Sequence, residues 1–207
     1  MLEIMHLLFI GFSVGLSGAL VPGPMLFATI DSSMRTGWKA GPKIVMGHAG
    51  LEMLVIVLIL AGVFSVLEGS IPKSISVIGG IVLILFGVLT AKNGYEIKGK
   101  VYNKDGSASN TAINPYIAGI LTSASNPYFW IWWITAGTAL MFYGLEVGIV
   151  AMFLFIIGHW LADIGWYSAV SLGFSRGKTL MSFLMYKYII IACGTFLVIF
   201  GAWFIVN

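Results

Sequence analysis

Apolar residues fill this chain in long continuous runs, not at the two-residue or 3.6-residue periods of a half-buried strand or surface helix. Six runs, near residues 4–30, 41–66, 74–91, 113–140, 147–172 and 187–206, match the roughly 20 residues of helix that span a hydrocarbon core. The pattern predicts an all-α integral membrane protein with six transmembrane helices. Two of the runs are interrupted, span 1 by Pro22-Gly23-Pro24 and span 4 by Ser125-Asn126-Pro127. Proline lacks a backbone donor and clashes with the carbonyl one turn earlier, so both spans are predicted to break. A break at membrane depth is tolerated where protein or a water-filled cavity takes up the freed backbone groups. A cavity near the bilayer midplane is therefore expected.

Composition agrees, with 59% hydrophobic and 9% charged residues against roughly 25% charged in a soluble domain. A net charge of +3 would suggest nucleic acid in a soluble protein, but here the basic residues gather in three connections. Arg35, Lys39 and Lys43 follow span 1, Lys92, Lys98, Lys100 and Lys104 follow span 3, and Arg176, Lys178 and Lys187 follow span 5. The opposite side keeps only Lys73. Because lysine and arginine are retained in the cytoplasm, both termini are expected outside it, and no nucleic-acid partner is expected. The N-terminal stretch has no basic n-region and carries Glu3, so no cleaved signal peptide is expected. The single cysteine, Cys193, excludes an intrachain disulfide and a dithiol relay. A polar connection over 93–112, read as a flexible cytoplasmic linker, separates residues 1–92 from residues 113–207, three spans on each side.

Three spans per half would make the second half enter the membrane upside down, which predicts a 3+3 inverted repeat with broken spans 1 and 4. A second pair of marks supports it: Gly47-His48 to Glu52 in span 2 and Gly158-His159 to Asp163 in span 5 both read Gly-His-x-x-x-acid. Four-residue spacing puts His48 and Glu52 on one helix face, and His159 and Asp163 likewise. Each ionisable group in the bilayer core costs at least ~2.5 kcal/mol on insertion scales, so four of them ask for a reason. The chemical options are a proton relay, an acid that binds an ammonium, or a divalent-metal site with all four as ligands. The plain option is two satisfied His–acid pairs that pin spans 2 and 5 together.

Gly23-Pro24 and Asn126-Pro127 each read as the start of a half-helix. Free N–H groups and the positive end of the dipole there favour a carboxylate, while the plain reading is a bend for packing. Asp31 with Ser32 and Ser33 reads as a solvated helix end. Phe129, Trp130, Trp132 and Trp133 read as an interfacial belt, with Phe129 and Trp130 the cavity candidates; Trp160 sits between the ionisable residues of span 5. Gly79, Gly80 and Gly87 in span 3 and Gly194 and Gly201 in span 6 read as close-packing positions inside the chain, with a homodimer as their second use. Ser125 with His159 as nucleophile and base is the weakest option, and no enzyme is expected.

These residues resemble the lysine exporter and homoserine/threonine resistance transporters (LysE/RhtB). The matching features are Pro22-Gly23-Pro24, the glycines Gly37, Gly41 and Gly47 leading into span 2, and Gly119-Ile120-Leu121-Thr122 leading to Asn126-Pro127. The resemblance implies export of amino acids or close derivatives across the cell membrane, driven by the proton gradient and without a cofactor. Met25 stands where many members have asparagine, and Tyr128 where many have lysine, which bears on substrate identity. The wider superfamily includes cation and metal exporters. Together these readings expect Pro22, Gly23, Pro24, Asn126, Pro127, Glu52 and Asp163 to bind an amino-acid substrate, and His48, His159, Glu52 and Asp163 to couple protons to its export. The alternative is a divalent-metal exporter with His48, Glu52, His159 and Asp163 as ligands.

Overall fold

The computed structural model describes residues 2–21, 23–62, 73–96, 113–177 and 182–206. Pro22, Lys98, Lys100, Lys104, Lys178 and residues 97–112 of the connection lie outside them. Among the described residues the chain is helical, without strands: α1 Leu2–Ala19, α2 Pro24–Thr36, α3 Ala40–Leu60, α4 Lys73–Glu96, α5 Pro115–Ala124, α6 Pro127–Trp132, α7 Thr138–Val147, α8 Ile149–Gly177 and α9 Phe183–Val206. A π-helical turn, Trp133–Gly137, joins α6 to α7.

Three described stretches, Ala40–Leu60, Ile149–Gly177 and Phe183–Trp203, are each long and apolar enough to cross a membrane, and α1 with α2 makes a fourth if the bent pair is one span. Both expected breaks are present. Between α1 and α2 the axis turns by 78°, and α2 restarts with Gly23 as its extended N-cap and Pro24 in its first turn. Between α5 and α6 the restart is Asn126-Pro127. Gly37, at φ +92, then turns the chain from α2 toward α3, a conformation that glycine adopts without a Cβ penalty.

Close glycine contacts set the packing. Gly11 of α1 lies against the Phe155 carbonyl of α8, and Gly158 of α8 against the Leu8 carbonyl of α1. Gly47 of α3 lies against the Tyr116 carbonyl of α5, and Gly119 of α5 against the Ile44 carbonyl of α3. At each of the four a Cβ would overlap the facing backbone. The antiparallel pair α4 and α9 repeats the device, with Gly80 against Gly201 and Gly87 against Gly194. Lipid tails are as apolar as side chains, so close backbone approach supplies the dispersion energy that hydrophobicity cannot supply between membrane helices. Of the glycines expected to pack spans 3 and 6, Gly80, Gly87, Gly194 and Gly201 are thus used within the chain.

One expectation fails here. Asp31, Ser32 and Ser33 do not form a solvated helix end, because α2 is a short helix enclosed by α3, α5, α8 and α9, with ten of its 13 residues buried. Arg35 is buried with them and its Nε donates to Asp31 Oδ1 at 2.7 Å. Thr29 and Ser33 return their hydroxyls to the carbonyls of Met25 and Ile30, so both hydroxyls are met within the helix.

Candidate functional site

Both breaks open onto one cavity of about 630 Å³, lined by Gly23, Pro24 and Met25 at the start of α2, by Asn126 at the start of α6, and by His48, Glu52, His159 and Asp163. Pro127 is buried and is not among the lining residues. The glycine contacts explain how the ionisable residues arrive there. Gly47 and Gly158, the first residue of each Gly-His-x-x-x-acid stretch, are the crossing points with α5 and α1. The histidine that follows each of them lines the cavity, as does the acid one turn further on.

The four side chains form one cluster, not two separate pairs. His48 Nε2 stands 3.1 Å from Glu52 Oε1 and 3.7 Å from Asp163 Oδ2. His159 Nε2 stands 3.0 Å from the same Glu52 oxygen and 3.4 Å from the same Asp163 oxygen. Each imidazole therefore bridges both acids.

Glu52 and Asp163 differ in what else they touch. Glu52 Oε1 also accepts from Trp133 Nε1 at 3.1 Å, and Oε2 accepts from Trp160 Nε1 at 2.7 Å. An indole N–H is a donor only, so Glu52 acts as an acceptor on both oxygens, as a carboxylate must. Asp163 Oδ2 is fully enclosed and accepts no hydrogen bond from a described residue, its neighbours being the two imidazoles at ion-pair distance.

The histidines are oriented from behind. Ser123 donates its hydroxyl to the Gly119 carbonyl at 2.8 Å, so the 2.6 Å contact with His48 Nδ1 assigns the donor proton to that nitrogen and turns Nε2 to the acids. Trp132 stacks on His159 with ring centroids 4.8 Å apart, and Trp133 meets the same ring edge-on. Trp132 and Trp133 are consecutive, yet both reach the cluster, at the junction of α6 with the π turn; such turns recur at functional sites. The expected interfacial belt is corrected accordingly. Trp133 is fully buried on Glu52, Trp132 covers His159, Phe129 lines the cavity, and Trp130 turns away to donate to the Ala124 carbonyl. The Trp–Glu hydrogen bonds were beyond sequence reasoning; they join residues 81 and 108 positions apart.

The two half-helix starts also differ. At α6 the Asn126 side chain accepts from the Tyr128 N–H, so the start caps itself. Asn114-Pro115-Tyr116 does the same at the start of α5, a repeat of Asn-Pro-Tyr that was readable in the sequence and marks a capping device. The start of α2 has no side-chain cap, because Gly23 stands where asparagine would be. The two starts expected to be equivalent thus differ in capping.

As for metal chemistry, one ligand atom from each of His48, Glu52, His159 and Asp163 lies within 4.8 Å of the others. A tetrahedral ion with bonds of about 2.0–2.2 Å places its ligands some 3.3–3.6 Å apart, close to the four distances above. Nucleophilic chemistry is not arranged: Ser125 returns its hydroxyl to the Leu121 carbonyl, and His159 Nε2 faces carboxylates.

A broken-helix cavity with an ionisable centre is the kind of site that transporters build. The family model for LysE type translocators matches residues 16–207. This chain belongs to the LysE type translocator family. Searches of curated proteins and of solved structures returned no match. As a LysE type translocator it is a transporter and not an enzyme, and its apolar helices make it a multi-pass membrane protein acting on a small-molecule substrate.

Proposed function

We propose that this translocator exports amino acids or close derivatives from the cytoplasm in exchange for protons. The observation that carries the reading is the asymmetric cluster: one acid, Glu52, is held by two indoles and two imidazoles, while the other, Asp163, lines the same cavity and its enclosed Oδ2 accepts no hydrogen bond from a described residue. Asp163 takes the substrate ammonium, and the uncapped start of α2 at Gly23-Pro24 takes the carboxylate. Pro22 precedes this start, and Asn126-Pro127 shapes the facing wall. A proton arriving through His48 or His159 neutralises Asp163 and releases the ammonium outward; loss of that proton to the cytoplasm restores the carboxylate. Glu52 holds both imidazoles in place throughout.

The architecture we propose is six spans in an inverted 3+3 repeat, residues 1–92 and 113–207 joined by a cytoplasmic linker over 93–112, with both termini outside the cytoplasm. Matching glycine crossings of α1 with α8 and of α5 with α3, and the mutual crossing of α4 with α9, support it. The test is proton-driven efflux from reconstituted vesicles. Asp163→Asn and Glu52→Gln each abolish it if the assignment is right, and undiminished efflux in both overturns it.

A second reading, export of a divalent metal, is favoured by the gathering of one ligand atom from each of His48, Glu52, His159 and Asp163 within 4.8 Å of one another. It leaves unexplained a cavity of about 630 Å³, far larger than an ion needs. Vesicles loaded with Zn2+ and a metal-sensitive dye distinguish it: metal efflux that Asp163→Asn removes supports this reading over the first.

A further inference from the structure

The chemistry of the cavity narrows the cargo beyond "amino acid", and this inference rests on the export reading above. A lysine or arginine zwitterion brings two cations and one anion into a site of low dielectric, where each buried charge needs its own partner. Among the described residues that line the cavity, the carboxylates are Glu52 and Asp163. Glu52 is buried and already engaged by four side chains: Trp133, His48 and His159 crowd Oε1, and Trp160 donates to Oε2. Asp163 therefore serves one ammonium, and the imidazoles beside it repel a second cation.

Most of the remaining wall is apolar, with Thr122, Ser123, Asn126 and Thr135 as its polar members. Met25, Tyr128, Phe129, Trp132, Tyr167 and Phe200 face the same cavity. Its volume lies within the roughly 300–1,000 Å³ of sites for organic ligands and leaves room for a large side chain beside an ammonium and a carboxylate. A small polar cargo would cover little of this apolar surface and gain little from desolvating it.

We propose that the substrate class is a neutral amino acid with a bulky apolar or aromatic side chain, its ammonium on Asp163, its carboxylate at the start of α2 and its side chain among Phe129, Trp132 and Phe200; lysine and arginine are excluded.

The experiment is a thermal-shift titration of the purified full-length protein with phenylalanine, leucine, lysine, arginine, glycine, phenethylamine, 3-phenylpropionate and Zn2+. Phenylalanine or leucine is expected to stabilise the protein at concentrations at least about tenfold below those of lysine, arginine or glycine, the discrimination expected from an unpaired charge or an unfilled apolar wall. Phenethylamine and 3-phenylpropionate, each lacking one charged group, are expected to bind more weakly than phenylalanine, and Asp163→Asn to lose the phenylalanine shift. Lysine or arginine binding as well as phenylalanine overturns this inference and leaves amino-acid export standing. Glycine binding as well as phenylalanine overturns it too. Stabilisation by Zn2+ with no response to any amino acid overturns the export reading itself.

Discussion

Glu52 and Asp163 hold equivalent places in two stretches that the chain writes alike, yet their surroundings are opposite. Glu52 receives two indole N–H groups and two imidazole nitrogens, which makes it the fixed centre of the cluster. Asp163 Oδ2 meets the same two imidazoles at longer range and, among the described residues, accepts no hydrogen bond. The difference teaches that a repeated motif can divide its labour, because tryptophans from the second half of the chain, Trp133 and Trp160, both turn to the acid of the first. One carboxylate organises the cluster, and its counterpart is held by fewer contacts.

Substitution at the two acids is the strongest way to break that comparison. Glu52→Gln places an amide N–H against donors and removes the charge that holds two imidazoles, so it is expected to cost about 3–5 kcal/mol of stability as well as transport. Thermal unfolding of the purified protein in detergent checks this; a melting temperature unchanged from that of the parent protein would strip Glu52 of its organising role. Asp163→Asn is expected to spare folding, since no hydrogen bond is lost. It should weaken substrate binding roughly 10- to 100-fold, the range of one charge-assisted contact. Comparing apparent affinity with melting temperature in the same preparation separates the two acids.

The glycine crossings sharpen the comparison at a smaller scale. Gly47→Ala and Gly158→Ala each drive a Cβ into the facing carbonyl, of Tyr116 and Leu8 respectively. Both are expected to destabilise by about 1–3 kcal/mol, as overpacking does. Matching losses by chemical denaturation support equivalence of the two halves, and a loss confined to one of them argues against it.

The smallest effect concerns the half-helix starts. Asn126→Ala removes the cap on the Tyr128 N–H and is expected to cost about 1 kcal/mol while leaving substrate affinity unchanged. A large fall in affinity would restore the α6 start as a second anion site.

Much of this was legible in the chain. The breaks at Gly23-Pro24 and Asn126-Pro127 followed from what proline does to a helix, and the two His–acid pairs, each on one helix face, followed from two copies of one motif. Asp31 shows where reading along the chain fails: a charged residue near a basic connection reads as solvated, and only the enclosure of α2 by four other helices puts it inside. The tryptophans fail in the same way. Trp132 and Trp133 look like an interfacial belt until a π turn and the fold around it bring both onto the cluster.

The sequence by itself determined the apolar spans, the positions at which they break, the glycines that let backbones touch and the ionisable residues that membrane burial makes expensive. These are local consequences of composition, proline chemistry and helical spacing. Only the tertiary structure decided that the four ionisable side chains share one centre, that Glu52 receives two indole N–H groups while Asp163 receives none, and that the start of α2 is uncapped beside the same cavity. Each of those depends on donors far apart in the chain, and a donor's distance and direction exist only once the helices have packed.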